Sequence, residues 1–390
     1  MVQAPALDIA TQVVATPPVL LTPGPLTTAM PVRRAALTDW GSWDNDFNQV
    51  TSQVLAALLR AAGAKPADRL ACVPLQGSGT FALEAAVRTF VPTGDGLVIG
   101  VNGAYGERLA RLTAMAGRRV RVVEHPWHQP ISAERLVDAM SDRHGFTNVG
   151  IVHCETSTGL LNDLGQIADT VGAVGGRLIV DAMSTFGALD VLPTHPAVRV
   201  VVAASGKCIE GLPGVGFVIC SEQTLALAKG QCDSLSLDLA EQYAYMQRTG
   251  QWRFTPPTHL VAALAAALAE YEQAGGRPSR LARYRANSAA LAHAAAGIGL
   301  VSYLPKALQA PIIHTFYAPD GPDWSFDSFY DLVKQQGFIL YPGKLTAEET
   351  FRVGCIGQVT PHTMRQAVRA IDHALKTMGI DLSHRLGGTP

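Results

Sequence analysis

The feature that most constrains the fold of this chain is a regular alternation of short apolar runs with amphipathic segments. Seven runs are typical of buried strands: Arg69–Leu75, Leu97–Val101, Val120–Glu124, Val149–His153, Leu178–Asp181, Val198–Ala203 and Gly216–Cys220. Segments of helical periodicity lie between them, including Glu107–Ala116, Glu134–Met140 and Ile167–Val174, and further helices are predicted at Gln49–Ala62 and about His259–Glu272. This alternation predicts an α/β domain with a mainly parallel, seven-stranded sheet that helices flank on both faces. Ligands of such sheets bind at the carboxyl ends of the strands.

The chain divides into three parts by pattern. Residues 1–18 show little periodicity and predict a flexible lead, and residues 19–277 hold the predicted sheet and form a large domain. From residue 278 to residue 390 the pattern predicts a smaller C-terminal α+β domain. Its helices are expected near 280–295 and 362–378, and its strands near 312–317, 338–341 and 351–353.

Charge and hydropathy exclude several classes of partner. The 31 basic and 32 acidic residues nearly balance, and no basic run offers a footprint for a phosphate backbone, so we expect no nucleic acid partner. The longest apolar stretch, Leu260–Ala269, has ten residues, whereas a helix needs about 20 to cross a bilayer. No basic residue precedes Arg33, so a secretory signal is not indicated. We expect a cytoplasmic protein that does not enter the membrane.

Cysteine and histidine usage does not indicate a metal site. The six cysteines are dispersed without a CxxC pair, which favours reduced thiols over a disulfide framework or a zinc site. His125 and His128 lie close in sequence but lack a third ligand, so we interpret them as loop residues and predict no metal.

Two charged residues stand at the ends of apolar strands. Lys207 is the single lysine between the runs Val198–Ala204 and Gly214–Cys220, and Asp181 closes the strand before them. A lysine is more often a solvated surface residue, but the aspartate of a neighbouring strand favours a chemical role. Together with the glycine loop and the aromatic residue described next, the pair is typical of a pyridoxal phosphate site. Lys207 would then bind the cofactor aldehyde covalently and shuttle a proton, and Asp181 would keep the pyridine nitrogen protonated.

A glycine-containing loop could supply the phosphate site of such a cofactor. Gln76-Gly77-Ser78-Gly79-Thr80 separates a strand from a helix, where free amides and the helix dipole attract a phosphate. Without other evidence, an ordinary N-capped helix would be the simpler interpretation of this loop. Tyr105, which follows the next strand, could stack on the cofactor ring.

Taken together, the motifs resemble those of the 2-aminoethylphosphonate:pyruvate aminotransferases, in the class V branch of the fold type I pyridoxal phosphate enzymes. The matching segments span about Leu20 to Gly357: LLTPGPLTT, DWGSWDNDFN, GSGTFALEA, NGAYGER, HCETSTGLLN, VDAMSTFGALD, SGKCIEGLPGVGFVI, WRFTPPTH and YPGKLTAEETFRVGCIG. The resemblance implies a homodimer whose active site is shared across the interface. It also implies transamination of 2-aminoethylphosphonate with pyruvate, which gives phosphonoacetaldehyde and L-alanine in phosphonate metabolism.

The resemblance assigns roles position by position. Lys207 becomes the Schiff-base lysine and Asp181 the partner of the pyridinium. The implied cofactor and substrate contacts are Ser78, Gly79 and Thr80 on the phosphate, Tyr105 on the ring face, Thr156 or Thr158 near the ring hydroxyl, Thr255 reaching in from the neighbouring subunit, and Arg352 gripping the substrate carboxylate. Amides of the loop that contains Gly24 and Pro25 are further candidates for the substrate anion.

Other functions remain open at this stage. A class V transaminase that uses alanine or serine with glyoxylate or pyruvate would need the same Lys207, Asp181 and Arg352. Gly206 stands where we expect asparagine in the family, which leaves room for a relative that acts on a modified aminophosphonate. A class V desulfurase is disfavoured because no cysteine lies in an evident glycine-rich loop, and a non-enzymatic scaffold would not need these residue types together.

Overall fold

The computed structural model describes residues 17–141, 146–343 and 348–382, so the predicted lead lies almost wholly outside the described residues. The α-helices in these ranges are, in chain order, α1 (Met30–Ala35), α2 (Asn45–Ala62), α3 (Gly79–Phe90), α4 (Ala104–Met115), α5 (Ala133–Met140), α6 (Leu164–Ala173), α7 (Glu222–Leu227), α8 (Leu239–Thr249), α9 (Thr258–Gln273), α10 (Gly276–Ala296), α11 (Phe326–Gln335) and α12 (Pro361–Thr377). None of these helices has both the length and the apolar character needed to span a membrane.

The strands form one large sheet and several small ones. They are β1 (Val19–Leu20), β2 (Leu70–Gln76), β3 (Gly96–Val101), β4 (Arg119–Glu124), β5 (Asn148–Val152), β6 (Cys154–Glu155), β7 (Leu160–Leu161), β8 (Arg177–Asp181), β9 (Val198–Ala204), β10 (Val215–Ser221), β11 (Ile313–Tyr317), β12 (Phe338–Ile339), β13 (Tyr341–Pro342) and β14 (Thr350–Gly354). The large sheet has seven strands in the order β2-β10-β9-β8-β5-β3-β4. Only β10 runs antiparallel to its neighbours, so the prediction of a mainly parallel seven-stranded sheet is confirmed.

Helices cover both faces of this sheet because successive strand side chains point to opposite sides. Val201 of β9 packs in a buried cluster with residues of α2, α5, α6 and α9. Val200 and Val202, its neighbours in the chain, belong to a second cluster with residues of α3, α4 and α8. The apolar runs of the sequence are therefore strands that are buried on both faces, which explains why they show no polar alternation.

Local patterns located most of these elements but missed four helices. All seven strands of the large sheet begin and end within two residues of their predicted limits. The helices α1, α7, α8 and α11 were not predicted, since they are short or carry many polar residues. The pairing of β1 with β12 was also not predicted, because two residues are too few to show a period.

The C-terminal part has its own core. Strands β11, β14 and β13 form an antiparallel sheet, and α11 and α12 pack on it around Phe329, Phe351 and Ile371. Residues 19–21 join this core, since β1 pairs in parallel with β12 and Leu21 lies in the same cluster. The division into domains at residues 277 and 278 stays a prediction.

Candidate active site

The carboxyl ends of five parallel strands bring the predicted site residues to one edge of the sheet. One cavity of about 190 Å³ is lined there by seven of them: Ser78, Gly79, Thr80, Tyr105, Thr156, Asp181 and Lys207. They follow or end β2, β3, β5, β8 and β9, which run in the same direction. Residues that are far apart in sequence meet here because parallel strands end at a common edge.

Asp181 is the last residue of β8 and places a carboxylate deep in the cavity. Its side chain is 5% exposed and accepts one backbone hydrogen bond, from Met183 N at 3.0 Å. Burial raises the pKa of Asp181 to about 6, and the nearby Lys207 and Arg108 only partly oppose this shift. A cation bound beside the carboxylate would relieve the cost of burying its charge.

We expect the Asp181→Asn substitution to stabilise the cofactor-free protein at pH 8 and to leave its stability nearly unchanged at pH 4. The unfolded carboxyl has a pKa of about 3.9, so between about pH 4 and 6 only the folded state holds this proton. The free energy of unfolding therefore falls as pH rises through this window, by roughly 3 kcal/mol at most. Thermal melts at both pH values check this, and an equal change in melting temperature at both would contradict it.

Lys207 lies three residues beyond β9 and is half-buried. Its Nζ donates a hydrogen bond to Pro23 O at 2.5 Å. Desolvation lowers the pKa of Lys207, and Tyr105 and Asp181 oppose this shift. The side chain is thus held at the cavity wall with its amine biased toward the neutral, proton-accepting form.

The loop that contains Gly24 and Pro25 lies directly against Lys207. Gly24 has a φ of +119°, and a Cβ there would lie 2.7 Å from Lys207 Nζ, so a side chain at this position would displace the lysine. The amide of Gly24 donates to Thr22 Oγ1 at 3.1 Å, and the flanking prolines have no amide hydrogen. The loop therefore shapes the space around the lysine and offers few amide donors to an anion.

The start of α3 forms the wall where an anion would bind. Ser78 is the N-cap of this helix of 12 residues, and its hydroxyl makes no capping hydrogen bond. A Cβ on Gly79 would overlap Met183 Sδ, so glycine lets the helix begin close to the strand end that carries Asp181. The helix N-terminus and the hydroxyls of Ser78 and Thr80 suit a phosphate group.

Tyr105 and Arg108 belong to the first turns of α4, and Glu155 holds that helix in place. The Glu155 carboxylate is fully buried and accepts hydrogen bonds from the amides of Tyr105 at 3.0 Å and Gly106 at 3.2 Å. Ser157 Oγ donates to it at 2.7 Å. Glu155 thus fixes the position of Tyr105 at the cavity.

Sequence reasoning assigned no role to Glu155 or Arg108. Arg108 lines the cavity with its guanidinium carbon 4.8 Å from the centre of the Tyr105 ring. The spacing from Tyr105, one helical turn away, could have indicated that Arg108 shares the cavity. The local signal for Glu155 was an acidic residue two positions after the predicted strand Val149–His153.

Arg352 lies behind the cavity wall and contacts two of its residues. It is 4% exposed, and it donates from Nη1 to Thr156 O at 2.8 Å and from Nε to Pro342 O at 2.9 Å. The Tyr105 side chain lies close enough to favour the charged form of Arg352. Burial lowers the pKa of Arg352, but a guanidinium remains charged at neutral pH. A positive charge therefore stands beside the cavity.

Two further predicted residues lie outside this cavity. Thr158 is buried, with its hydroxyl 3.4 Å from Glu155 O, whereas Thr156 of the same segment lines the cavity. Thr255 is exposed and lines a separate surface pocket together with Gly77, Phe81 and Phe254. Within one subunit, Thr255 does not reach the cavity.

The residues present fit pyridoxal phosphate. The cavity combines a buried carboxylate whose charge is only partly compensated, an amine with a lowered pKa, an aromatic ring and a helix N-terminus. Asp181 would hold the pyridine nitrogen, Lys207 the aldehyde carbon, Tyr105 the ring and the residues 78–80 the phosphate. This donor set matches each functional group of that cofactor.

Comparisons with known proteins agree with this chemistry. The family model "Aminotransferase class-V" matches residues 66–316. A 2-aminoethylphosphonate–pyruvate transaminase of Pseudomonas fluorescens (strain Pf0-1) is 52% identical over 366 residues, which cover 93% of this chain and 98% of that protein. One from Pseudomonas aeruginosa is 50% identical over 363 residues, which cover 93% of this chain and 97% of that protein. Among solved structures, an alanine–glyoxylate aminotransferase from Nostoc sp. has a TM-score of 0.85 at 25% identity, with 93% of this chain and 97% of that chain covered.

Proposed function

The chain belongs to the class V aminotransferases and, within them, to the family of the 2-aminoethylphosphonate–pyruvate transaminases, and on this basis we propose that it transfers the amino group of 2-aminoethylphosphonate to pyruvate. The products are phosphonoacetaldehyde and L-alanine. The observation that carries the proposal is the meeting of Lys207 and Asp181 in one cavity, with Arg352 directly behind its wall. The identity of 52% to a relative of that activity supports the choice of substrates.

Each side chain has a defined task in this reaction. Pyridoxal phosphate, when bound, supplies an electron sink for negative charge at the carbon that loses a proton. Lys207 Nζ would take this proton from the carbon that bears the amino group and would later give it back, a role that a lysine with a lowered pKa suits. Asp181 stabilises a protonated pyridine nitrogen. Tyr105 and Thr156, which line the cavity, would hold the cofactor ring.

The site has to accept two different anions. The donor carries a phosphonate, and the acceptor carries a carboxylate. We assign both to Arg352, because its planar guanidinium can bind either group through two parallel hydrogen bonds. The hydrogen bonds to Thr156 O and Pro342 O orient the guanidinium in advance, which lowers the entropy lost when the anion binds.

A panel of amino donors tests the substrate assignment. We expect purified protein supplied with pyridoxal phosphate and pyruvate to form alanine fastest from 2-aminoethylphosphonate. Hydroxylated and longer aminophosphonates, serine and alanine with glyoxylate complete the panel. Preferred turnover of alanine with glyoxylate, without phosphonoacetaldehyde from 2-aminoethylphosphonate, would contradict the proposal.

We also propose that the active protein is a homodimer in which Thr255 completes the phosphate site of the partner subunit. The exposed position of Thr255 supports this role, as do the apolar side chains beside it, Phe81 at 56% and Phe254 at 49% exposed. Light scattering is expected to give twice the chain mass, and Thr255→Ala to weaken cofactor binding. A fully active monomer would contradict the shared site.

A further inference from the structure

Glu210 is a buried carboxylate close to Lys207 in the chain, and it is surrounded by hydrogen-bond donors. Its side chain is 3% exposed. Arg283 Nη2 contacts its Oε1, Tyr284 OH donates to the same oxygen at 2.5 Å, and Arg280 Nη1 lies 3.3 Å away. Gln358 Nε2 donates to Oε2 at 2.8 Å. A buried carboxylate is costly without such partners, so the hydrogen bonds of Glu210 hold together the segments that carry its donors.

The backbone at Glu210 adopts a conformation that few residues other than glycine adopt. Its φ is +61°, in the left-handed region that is unfavourable for a residue with a long side chain. In this conformation Glu210 N donates to Lys207 O at 2.7 Å, and Gly211 N donates to Ser205 O at 3.0 Å. The hydrogen bonds of the carboxylate therefore hold a tight turn that starts at Lys207 itself.

Except for Gln358, the donors to Glu210 come from one helix, which also contacts the lysine turn and the segment after Arg352. Arg283 and Tyr284 belong to α10, and Arg280 of the same helix donates to Cys208 O, next to Lys207. Asn287, one turn further along α10, donates to Cys355 O at 2.9 Å and to Val359 O at 3.1 Å. One face of α10 thus contacts both the turn after Lys207 and residues 355–359.

Residues 355–359 connect this arrangement to the anion-binding side of the cavity. They follow β14, which carries Arg352. The backbone of Gln358 also donates to Thr27 O at 2.8 Å, just beyond the loop that covers Lys207. Glu210 is therefore the point at which the turn after Lys207, helix α10 and the segment after Arg352 are joined.

We propose that Glu210 is a positioning residue, which holds the amine of Lys207 at a fixed place relative to Arg352. This inference rests on the proposed function, since it assigns the proton-transferring role to Lys207 and the anion to Arg352. A base and an anion site on separate segments need such a connection, because small displacements of a reacting group cost large factors in rate. Glu210 acts through Lys207 and does not touch the substrate.

The test compares Glu210→Gln with a control that breaks an ion pair elsewhere. Gln keeps the size of the side chain but removes the charge that faces Arg280 and Arg283. Asp233→Asn is the control, because Asp233 also pairs with two arginines: it contacts Arg118 at 2.5 Å and Arg88 at 3.0 Å, near the end of α3 opposite to the cavity. Both variants are assayed as holoenzyme with 2-aminoethylphosphonate and pyruvate, well below their melting temperatures.

For Glu210→Gln we expect kcat to fall about 10-fold to 100-fold with little change in the KM of pyruvate. Hydrogen exchange of the amides at 208–211 is expected to speed up in the same holoenzyme, while Asp233→Asn keeps both kcat and these exchange rates. The double variant Glu210→Gln/Gln358→Glu returns a carboxylate to the cluster and should recover most of the lost kcat. Wild-type kcat in Glu210→Gln, or an equal loss in Asp233→Asn, would overturn the inference.

A milder variant covers the case in which Glu210→Gln does not fold. Gln358→Ala removes the hydrogen bond that Gln358 donates to Glu210. Gln358 is exposed, and Asn287 still binds the backbone of residues 355–359. We expect kcat to fall about 3-fold with an unchanged melting temperature, and an unchanged kcat would overturn the inference. If the wild-type protein does not transaminate 2-aminoethylphosphonate, the proposed function fails instead. Faster exchange at 208–211 in Glu210→Gln would then still establish the structural connection.

Discussion

The Lys207→Ala variant is expected to lose transaminase activity by about 10²-fold to 10⁴-fold or more, because no other amine described in the cavity can take the proton. The variant should also lose covalent attachment of the cofactor. Borohydride reduction followed by measurement of the intact mass detects this attachment in the wild-type protein. Initial rates with saturating 2-aminoethylphosphonate and pyruvate measure the activity.

An exposed lysine serves as the control for this substitution. Lys229 follows α7 at the protein surface, so Lys229→Ala should keep both the rate and the attached cofactor. Melting temperatures of the two variants show whether each is folded. A folded Lys207→Ala protein with wild-type turnover would show that the base is a different residue.

Replacing Arg352 with methionine is expected to lower kcat/KM for pyruvate about 10²-fold. A two-pronged contact consists of two charged hydrogen bonds of roughly 1.5 kcal/mol each, and every 1.4 kcal/mol changes the equilibrium about tenfold. The loss should appear mainly in KM and should affect 2-aminoethylphosphonate as well, since we assign both anions to the same guanidinium. Steady-state kinetics with each substrate varied in turn measure these effects.

Two companion variants separate this role from packing. Arg352→Lys keeps the charge but not the planar fork, so it should recover only part of the loss. Arg365→Met changes an exposed arginine of α12 and should leave the kinetics unchanged. If Arg352→Met bound both substrates normally, the anion site would lie elsewhere, and Arg108 of the cavity lining would be the next residue to substitute.

The part of the site that could be predicted from the sequence consists of residues at the ends of predicted strands. Lys207 and Asp181 each end or follow an apolar run, and the rule that parallel strands end at a common edge places them together. The start of α3 was found in the same way, because a glycine loop between a strand and a helix is a local feature. The roles of these residues toward a cofactor remain predictions.

Residues that act through partners far away in the sequence could not be identified from local sequence patterns. Glu155 contacts amides 50 and 49 positions away, and Glu210 contacts Arg283 and Tyr284 across 73 and 74 positions. Neither pairing follows from a period or from neighbouring residues. The structure alone identifies Arg283 and Tyr284 as partners of Glu210.

The choice between neighbouring candidates also needed three dimensions. Thr156 and Thr158 are equivalent in the sequence, but only Thr156 lines the cavity, since the turn after β6 directs the two side chains differently. Gly206 is similar: a Cβ there would lie 3.1 Å from Pro213 Cα, so the chain packs closely around this glycine. A side chain at position 206, next to Lys207, would therefore crowd Pro213.

The central claim is that this protein takes the amino group from 2-aminoethylphosphonate and passes it to pyruvate. The most direct measurement is the release of phosphonoacetaldehyde when the protein–cofactor complex is mixed with 2-aminoethylphosphonate in the absence of pyruvate. We predict about one aldehyde per active site, with alanine and further aldehyde formed only after pyruvate is added. No aldehyde, or continued release without an acceptor, would contradict the account.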